Sequence, residues 1–293
     1  MRFDTQVPSE QNKEYSTNII MATLASSLDI DSPYQLTSEQ IRFYRENGYA
    51  KLKGVLSPET VEHYRKEIAR KVRELNTLHL PMEKRTIYEK AFLQIMNLWT
   101  QSEVVRTLVM GQRIARIAAE LMGCRGVRLY HDQALYKEPG GGITPWHADQ
   151  YYWPVDSDRT ITAWIPLQDT PQEMGPLAFA PGSFRIETGR DLEISDESER
   201  KLQRSLKSYP IHETPFELGE VSFHSGWTFH RAGANSTDRP REVMTIIYVD
   251  RDIHLTEPKN KDQQNDRQRW CPGVEIGHVL DSPLNPLIYT EAE

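Results

Sequence analysis

From residue 126 onward the apolar residues stop recurring at helical spacing and come in short runs: GVRLYHDQALYKE, RTITAWIPLQDT, PLAFAP, GEVSFHSGWTFHRAG and REVMTIIYVD. Each run is rich in β-branched and aromatic residues, and Gly, Pro or Asp separates it from the next. Such runs fit a pleated, half-buried surface and predict the strands of a β-sandwich or barrel. This change of period is the strongest constraint on what the chain can fold into.

The residues before it carry helical signals. In LTSEQIRFYRENG, Thr37 is placed to cap a helix with Gln40 three positions on, Ile41, Tyr44 and Phe43 supply an apolar face, and Gly48 stops it. SPETVEHYRKEIARKVREL repeats the pattern: Ser57 caps, Pro58 sits in the first turn, and Val61, Tyr64, Ile68, Val72 and Leu75 recur on one side. YAKLKGVL between them reads as a strand, and VVRTLVMGQRIARIAAELMG as a third helical block ending at Gly123. The expectation is a mainly β fold with flanking α structure in one domain over residues 35–293. Its helical part spans about 35–125 and packs against a sheet-rich core at about 126–252, and a C-terminal extension fills 253–293. The polar composition of residues 1–34 predicts a flexible N-terminal tail.

Nothing in the chain approaches the roughly eighteen unbroken apolar residues of a membrane span, and the mean hydropathy is −0.63. The N-terminus lacks the basic start and long apolar run of a secretion signal. A net charge of −7, with basic residues interspersed among acids, argues against a phosphate backbone as the main partner. Cys124 and Cys271 are too few and too far apart for a disulfide framework or a thiolate metal site, and fit a reducing compartment. The chain is therefore expected in the cytoplasm without nucleic-acid or membrane partners, and self-association into a homo-oligomer is left open.

In PWHADQYYW, residues 145–153, an imidazole and a carboxylate stand two positions apart among aromatic rings. On a strand, residues i and i+2 share a face, so His147 and Asp149 can reach one ion while Ala148 points away. A non-haem iron centre of the facial-triad type needs one more imidazole and leaves adjacent positions open for ligands. An H-x-D pair alone is common without metal, so context has to choose the third donor. His224 and His230 both lie on a strand-like segment. From His230 the chain runs HRAGANSTDRPR, placing Arg241 eleven residues on, across a turn-forming stretch that can return it beside the metal. A guanidinium there would pair bidentately with a carboxylate. His224 reads as a strand histidine satisfied by hydrogen bonding near the site.

HADQ at 147–150, TAWIPLQDTPQEMGPLAFAPGSFR, GEVSFHSGWTFHRAGANSTDRPR and the leading segment LTSEQIRFYRENGYAKLKGVLS together resemble the phytanoyl-CoA dioxygenase family of Fe(II)/2-oxoglutarate-dependent oxygenases, over residues 36–252. The resemblance implies a double-stranded β-helix, the jelly-roll or cupin-like architecture, with the N-terminal helices packed on one sheet. It assigns His147, Asp149 and His230 to Fe(II) and Arg241 to the distal carboxylate of the co-substrate 2-oxoglutarate, with O2 as oxidant. Gln133 and Trp164 match positions lining the 2-oxoglutarate pocket, and Gln94, in FLQIMNLW, is a weaker match to the same role. The reaction implied is hydroxylation of an unactivated C–H bond of a small molecule, with 2-oxoglutarate converted to succinate and CO2. Relatives that halogenate carry a small residue where this chain has Asp149, which favours hydroxylation.

Departures fall around the pocket and spare the ligands. Where many members have a serine two positions after the last histidine, this chain has Ala232; ENG becomes Glu173, Met174, Gly175; and PGSH becomes PGSF with Phe184. Tyr151 and Trp153 share the parity of His147 and Asp149 if the strand continues, which makes them substrate-contact candidates. Gly140 to Gly142 form either a mobile loop at the cavity mouth or a plain turn. The family spans acyl-CoA thioesters, amino acids, compatible solutes, phosphonates and polycyclic natural products. Arg200, Lys201, Arg204 and Lys207 follow a run of acids and read as a solvated helix face, so a substrate without CoA is expected. Two other readings use the same residues: a cupin-like metalloenzyme without 2-oxoglutarate, and a non-catalytic jelly-roll binding protein. Succinate formation excludes the first and iron binding the second.

Overall fold

The helix-starting signals fold as their chemistry dictates. In the computed structural model, which describes residues 28–291, Thr37 accepts from the backbone of Gln40 and Gln40 reaches back to Thr37, while Gly48 closes the helix at φ 78°. Ser57 caps the next helix, whose Val61, Tyr64, Ile68 and Val72 are buried while Leu75 is half-buried.

The N-terminal part contains α1 (Ser38–Asn47), β1 (Tyr49–Leu52), α2 (Pro58–Leu75), α3 (Ile87–Ala91), β2 (Leu93–Met96), α4 (Glu103–Val109) and α5 (Gln112–Met122). There follow β3 (Gly126–Lys137), β4 (Thr144–His147), β5 (Thr160–Pro166), β6 (Leu177–Phe179), α6 (Asp196–Ser205) and β7 (His212–Glu213). The chain continues through β8 (Val221–Ser225), β9 (His230–Ala232), β10 (Arg241–Asp250), α7 (Lys261–Trp270) and β11 (Leu287–Thr290). The strands form two antiparallel sheets. The larger runs β1-β8-β5-β10-β3-β11, with β2 also paired to β3, and the smaller runs β4-β9-β6-β7.

Side-chain alternation decides what lies on each side of the larger sheet. Ile161, Ala163 and Ile165 of β5, Val221 and Phe223 of β8, and Met244, Ile246 and Tyr248 of β10 share one core with the buried faces of α2, α4 and α5. The alternate residues turn the other way: Trp164 and Val243 pack with Leu177, Phe179 and Ala232 of the smaller sheet. Helices thus cover one face of the larger sheet and the smaller sheet covers the other.

A bulge in β3 re-aims part of that pattern. Ile247 pairs with His131 but Tyr248 with Leu129, so Tyr130 is an extra residue opposite β10. Val127 and Leu129 therefore face the helices, while His131, Gln133 and Leu135, of the same parity, line the cavity between the sheets.

One expectation needs correction. Of the expected tail, residues 1–27 lie outside the described residues, but 28–34 are anchored: Leu28 and Ile30 are buried, and Asp29 pairs with Arg113 at 2.8 Å. That segment also explains why the third helical block divides into α4 and α5. Ile30 O and Asp31 Oδ1 accept from Arg113 and Gln112 at the start of α5, and any side chain at Gly111 would meet Ile30 O at 3.0 Å. Of the two readings of Gly140 to Gly142, the plain turn fits: Gly140 donates to Asn235 O and Gly142 to Lys90 O, and none of the three lines the cavity. Both flanking parts also enter the larger sheet, through β1 and β2 on one side and β11 on the other.

Candidate metal centre

His147 ends β4 and His230 begins β9, and the two are direct cross-strand partners with ring centroids 4.2 Å apart. Asp149 stands where the strand has already given way to a tight turn over Asp149–Tyr152. The shared-strand geometry expected for His147 and Asp149 is therefore incorrect, yet the turn brings the carboxylate back: Asp149 Oδ1 lies 3.7 Å from His147 Nε2 and 3.6 Å from His230 Nε2. One donor atom from each of the three residues falls within 4.8 Å of the others.

Hydrogen bonds preset which atoms are free. His147 Nδ1 contacts Pro145 O at 2.7 Å and His230 Nδ1 contacts Thr228 O at 3.0 Å. A carbonyl can only accept, so each Nδ1 carries the proton and each Nε2 presents a lone pair to the centre. The other carboxylate oxygen, Asp149 Oδ2, accepts from Thr162 Oγ1 at 2.7 Å and lies 3.2 Å from His224 Nε2. His224 is thus a neighbour of the cluster through Asp149, as its strand position led us to expect. Burial, and then the neighbouring imidazole, pushes His147 and His230 down to about 4. Burial acts on Asp149 in the opposite sense, but His230 and His224 outweigh it and hold the carboxyl far below its usual range.

The cluster sits at the floor of a cavity of about 760 Å³ between the sheets. Arg241 opens β10 on the same wall and is 1% exposed. Its Nη1 donates to Gly175 O at 2.5 Å, its Nε has no partner, and its Cζ lies 5.4 Å over the Trp164 ring. Burial pushes this guanidinium down to about 9, so it remains a cation at neutral pH. Lys137, its cross-strand partner, donates to Gly142 O and Thr144 Oγ1 and, being itself a base, offers Arg241 no counter-charge.

Gln133, Trp164 and Gln94 all line the cavity; Gln94 Nε2 donates to Gln133 Oε1, and Gln94 Oε1 accepts from Tyr88 Oη at 2.6 Å. Trp153 lines it as well. Tyr151 does not: the Asp149–Tyr152 turn breaks strand parity, sends Tyr151 Oη to Asp262 at 3.3 Å beside a separate smaller pocket, and puts Tyr152 on the cavity instead. Arg200, Lys201 and Arg204 are exposed on α6 and do not line the cavity.

Several lining residues were not anticipated. Thr162 was within reach, since it precedes Trp164 by two positions on a strand and must share its face. His131 was within reach in the same way, two positions before Gln133 on β3, whereas Tyr88, Asp262, Asp266 and Trp270 carried no such signal. KDQQNDRQRW, the sequence of α7, has no apolar periodicity to mark it as a cavity wall. Among the described residues no helix is long and apolar enough to cross a membrane.

Comparison with known proteins agrees with this geometry. Residues 44–243 match the family model for phytanoyl-CoA dioxygenase. The probable alpha-ketoglutarate-dependent hypophosphite dioxygenase of Stutzerimonas stutzeri is 25% identical over 227 residues, which cover 72% of this chain and 78% of that protein. The non-heme alpha ketoglutarate dependent carbocyclase SnoK from nogalamycin biosynthesis superimposes with a TM-score of 0.73 at 28% identity, over 88% of this chain and 100% of that one. The epimerase SnoN, in complex with Fe3+, alpha ketoglutarate and nogalamycin RO, gives a TM-score of 0.72 at 26% identity, over 86% of this chain and 98% of that one.

Proposed function

The chain belongs to the phytanoyl-CoA dioxygenase family, and from that membership we propose that it hydroxylates a C–H bond of a small molecule, using Fe(II), 2-oxoglutarate and O2. The two-sheet arrangement with helices on one face supports reading the fold as a double-stranded β-helix. The free thiols Cys124 and Cys271 support a reducing, cytoplasmic setting.

His147, Asp149 and His230 fit the metal. Both imidazoles present Nε2 lone pairs, and one carboxylate oxygen faces them while the other is anchored, so three donors are offered from one side and the opposite side stays open to the cavity. The observation that carries the assignment of 2-oxoglutarate is Arg241: a cation 1% exposed in the same cavity, with an unpartnered Nε. A buried guanidinium without a carboxylate is costly, and a dicarboxylate spanning from the metal to Arg241 removes that cost. When bound, iron and 2-oxoglutarate supply the oxidising power: one oxygen atom of O2 enters succinate, formed with CO2, and the other enters the substrate as hydroxyl.

The chain's own residues orient and exclude. Arg241 holds the far end of the co-substrate, and the Gln94–Gln133 pair offers amide groups along the wall. Trp164, Leu177 and Ala232 line the inner cavity with apolar surface that keeps water from the reacting centre. Asp149 occupies the position that a halide would need, which supports hydroxyl transfer. The names of the carbocyclase and the epimerase mark other outcomes on this architecture. Product mass separates them: gain of one oxygen, loss of two hydrogens, or no change.

The test is anaerobic addition of Fe(II) and 2-oxoglutarate. A weak visible charge-transfer band is expected, absent in His230→Ala and requiring much more 2-oxoglutarate in Arg241→Ala; oxygen should then yield succinate. A chain that gives no band, or whose band survives His230→Ala, is not this enzyme.

A further inference from the structure

The floor and the mouth of the cavity present different charges. At the mouth, α7 turns Asp262 and Asp266 inward one helical turn apart, and Glu193 approaches from the segment before α6. The carboxylates of α7 touch tyrosine hydroxyls: Tyr130 donates to Asp266 at 2.6 Å and Tyr151 to Asp262 at 3.3 Å. Among the described residues neither Asp262 nor Asp266 has a Lys, Arg or His nitrogen within 4.0 Å. Arg269 is the basic side chain at this end, and it is exposed. Burial pushes Asp266 up to about 7, so without a partner it is only partly ionised at neutral pH, and a cation beside it would favour the ionised form. With iron and 2-oxoglutarate bound, the charges at the floor would be matched, and the mouth would be left with the carboxylates of Asp262 and Glu193 and with Asp266.

A second, independent feature faces the same space. His131 looks into the cavity from β3, is 4% exposed, and has an Nδ1 with no hydrogen-bond partner. Burial pushes it down to about 3, so the imidazole is neutral and retains a lone pair that can accept from an N–H. The Trp270 ring lies 6.0 Å from His131, and buried Trp153 completes an aromatic wall beside the acids. Carboxylates, a neutral imidazole and indole faces together are the surroundings a cation seeks. An acyl-CoA or polycarboxylate would meet repulsion here instead.

We propose, on the reading of the iron site given above, that the substrate carries a basic nitrogen, protonated at neutral pH. Asp262 and Asp266 hold it against Trp153, Trp270 and His131, and the carbon to be oxidised reaches inward to the His147–Asp149–His230 cluster. The substrate class is thus an amine-bearing small molecule, and α7 is its specificity element.

Benzylammonium, benzyl alcohol and benzoate share a shape and differ in charge, so they test the claim directly. Each is titrated into the full chain loaded anaerobically with Fe(II) and 2-oxoglutarate, with tryptophan fluorescence as readout. The ammonium should bind at least about tenfold tighter than the alcohol, a difference of about 1.4 kcal/mol, and benzoate weakest. The ranking should vanish in the Asp262→Asn, Asp266→Asn double variant, whose charge-transfer band should be that of the wild type. Equal binding of the three probes, no binding of the ammonium, or a ranking that survives the double substitution overturns the proposal. Should the double variant not fold, the wild-type ranking decides. A ranking that holds while the charge-transfer band is missing supports the amine site and counts against the iron reading alone.

Discussion

Thr162 and Asp149 meet through the carboxylate oxygen that the two facing imidazoles leave free. Thr162 Oγ1 donates to Asp149 Oδ2 at 2.7 Å, and Oδ1 is thereby aimed between His147 Nε2 and His230 Nε2. Anchoring one oxygen orients the other, and groups that orient a metal ligand are commonly worth about 10–100-fold in affinity. Thr162→Val keeps the shape of this buried residue and removes the hydroxyl. It should weaken Fe(II) binding within that range, read by competition with a chromophoric chelator, with little change in unfolding temperature. Unaltered affinity would mean that His224 alone orients the carboxylate.

Arg241 makes an opposite prediction for stability and function. Its guanidinium is buried without an anion, a cost to the ligand-free fold, and its Cζ lies over the Trp164 ring. Arg241→Met retains much of the packing and deletes the charge, so ligand-free protein should unfold at a higher temperature, by about 1–3 kcal/mol in stability. The stabilisation that 2-oxoglutarate and metal give the wild type should be lost at the same time. A scan with and without 2-oxoglutarate reads both; a variant still stabilised by 2-oxoglutarate would contradict the assignment.

Residues that signal locally were legible, and residues placed by long-range packing were not. Thr37, Gln40, Ser57 and Gly48 act within a few positions of themselves, and their roles hold. The pairing of His147 with His230 rests on a cross-strand register that the turn-rich segment between His230 and Arg241 only hinted at. Asp149 reaches the same centre from a turn, not a strand, so the convergence of the three side chains was readable although the local geometry behind it was wrong, and Tyr151, expected to share their parity, turns away from the cavity. The bulge at Tyr130 is set by pairing with β10, and α7 becomes a cavity wall only through tertiary contact, so neither leaves a periodic trace.

The buried imidazoles make the metal-free fold sensitive to acid. His147 and His230 sit at about 4 and His131 at about 3, against an ordinary 6.5, each chiefly through burial. Between pH 6.5 and those values the unfolded chain takes up protons that the folded chain refuses, so stability falls as pH drops through that window and is unaffected by these groups above it. Each costs the fold on the order of 3–5 kcal/mol at full effect, once the pH is below its folded value. Asp132 and Asp266, which burial pushes up to about 7, act in the opposite sense over the same range, so the comparison between two proteins isolates the imidazole. Relative to wild type, metal-free His131→Leu should gain stability progressively as pH drops below 6.5, read from unfolding midpoints. Equal slopes in the two proteins would show that His131 protonates within the fold.

Gly175 ties the smaller sheet to the Arg241 end of the cavity. At φ 72° a Cβ there would stand 2.2 Å from Gly233 O, a backbone atom just beyond β9, and the Gly175 carbonyl is the acceptor for Arg241 Nη1 at 2.5 Å. Gly175→Ala must therefore push β9 away or shift the carbonyl, and either movement disturbs Arg241. Strain at positive φ costs about 1 kcal/mol, and the backbone clash should take the total beyond about 2 kcal/mol. The KM for 2-oxoglutarate should rise severalfold while the charge-transfer band keeps its position at saturating co-substrate. Gly140→Ala is the control: φ is 73° there too, but nothing lies within 4 Å of the added Cβ. It should pay the conformational cost alone and leave KM unchanged. If the two variants behave alike, the contact between Gly175 and Gly233 does not hold Arg241 in place.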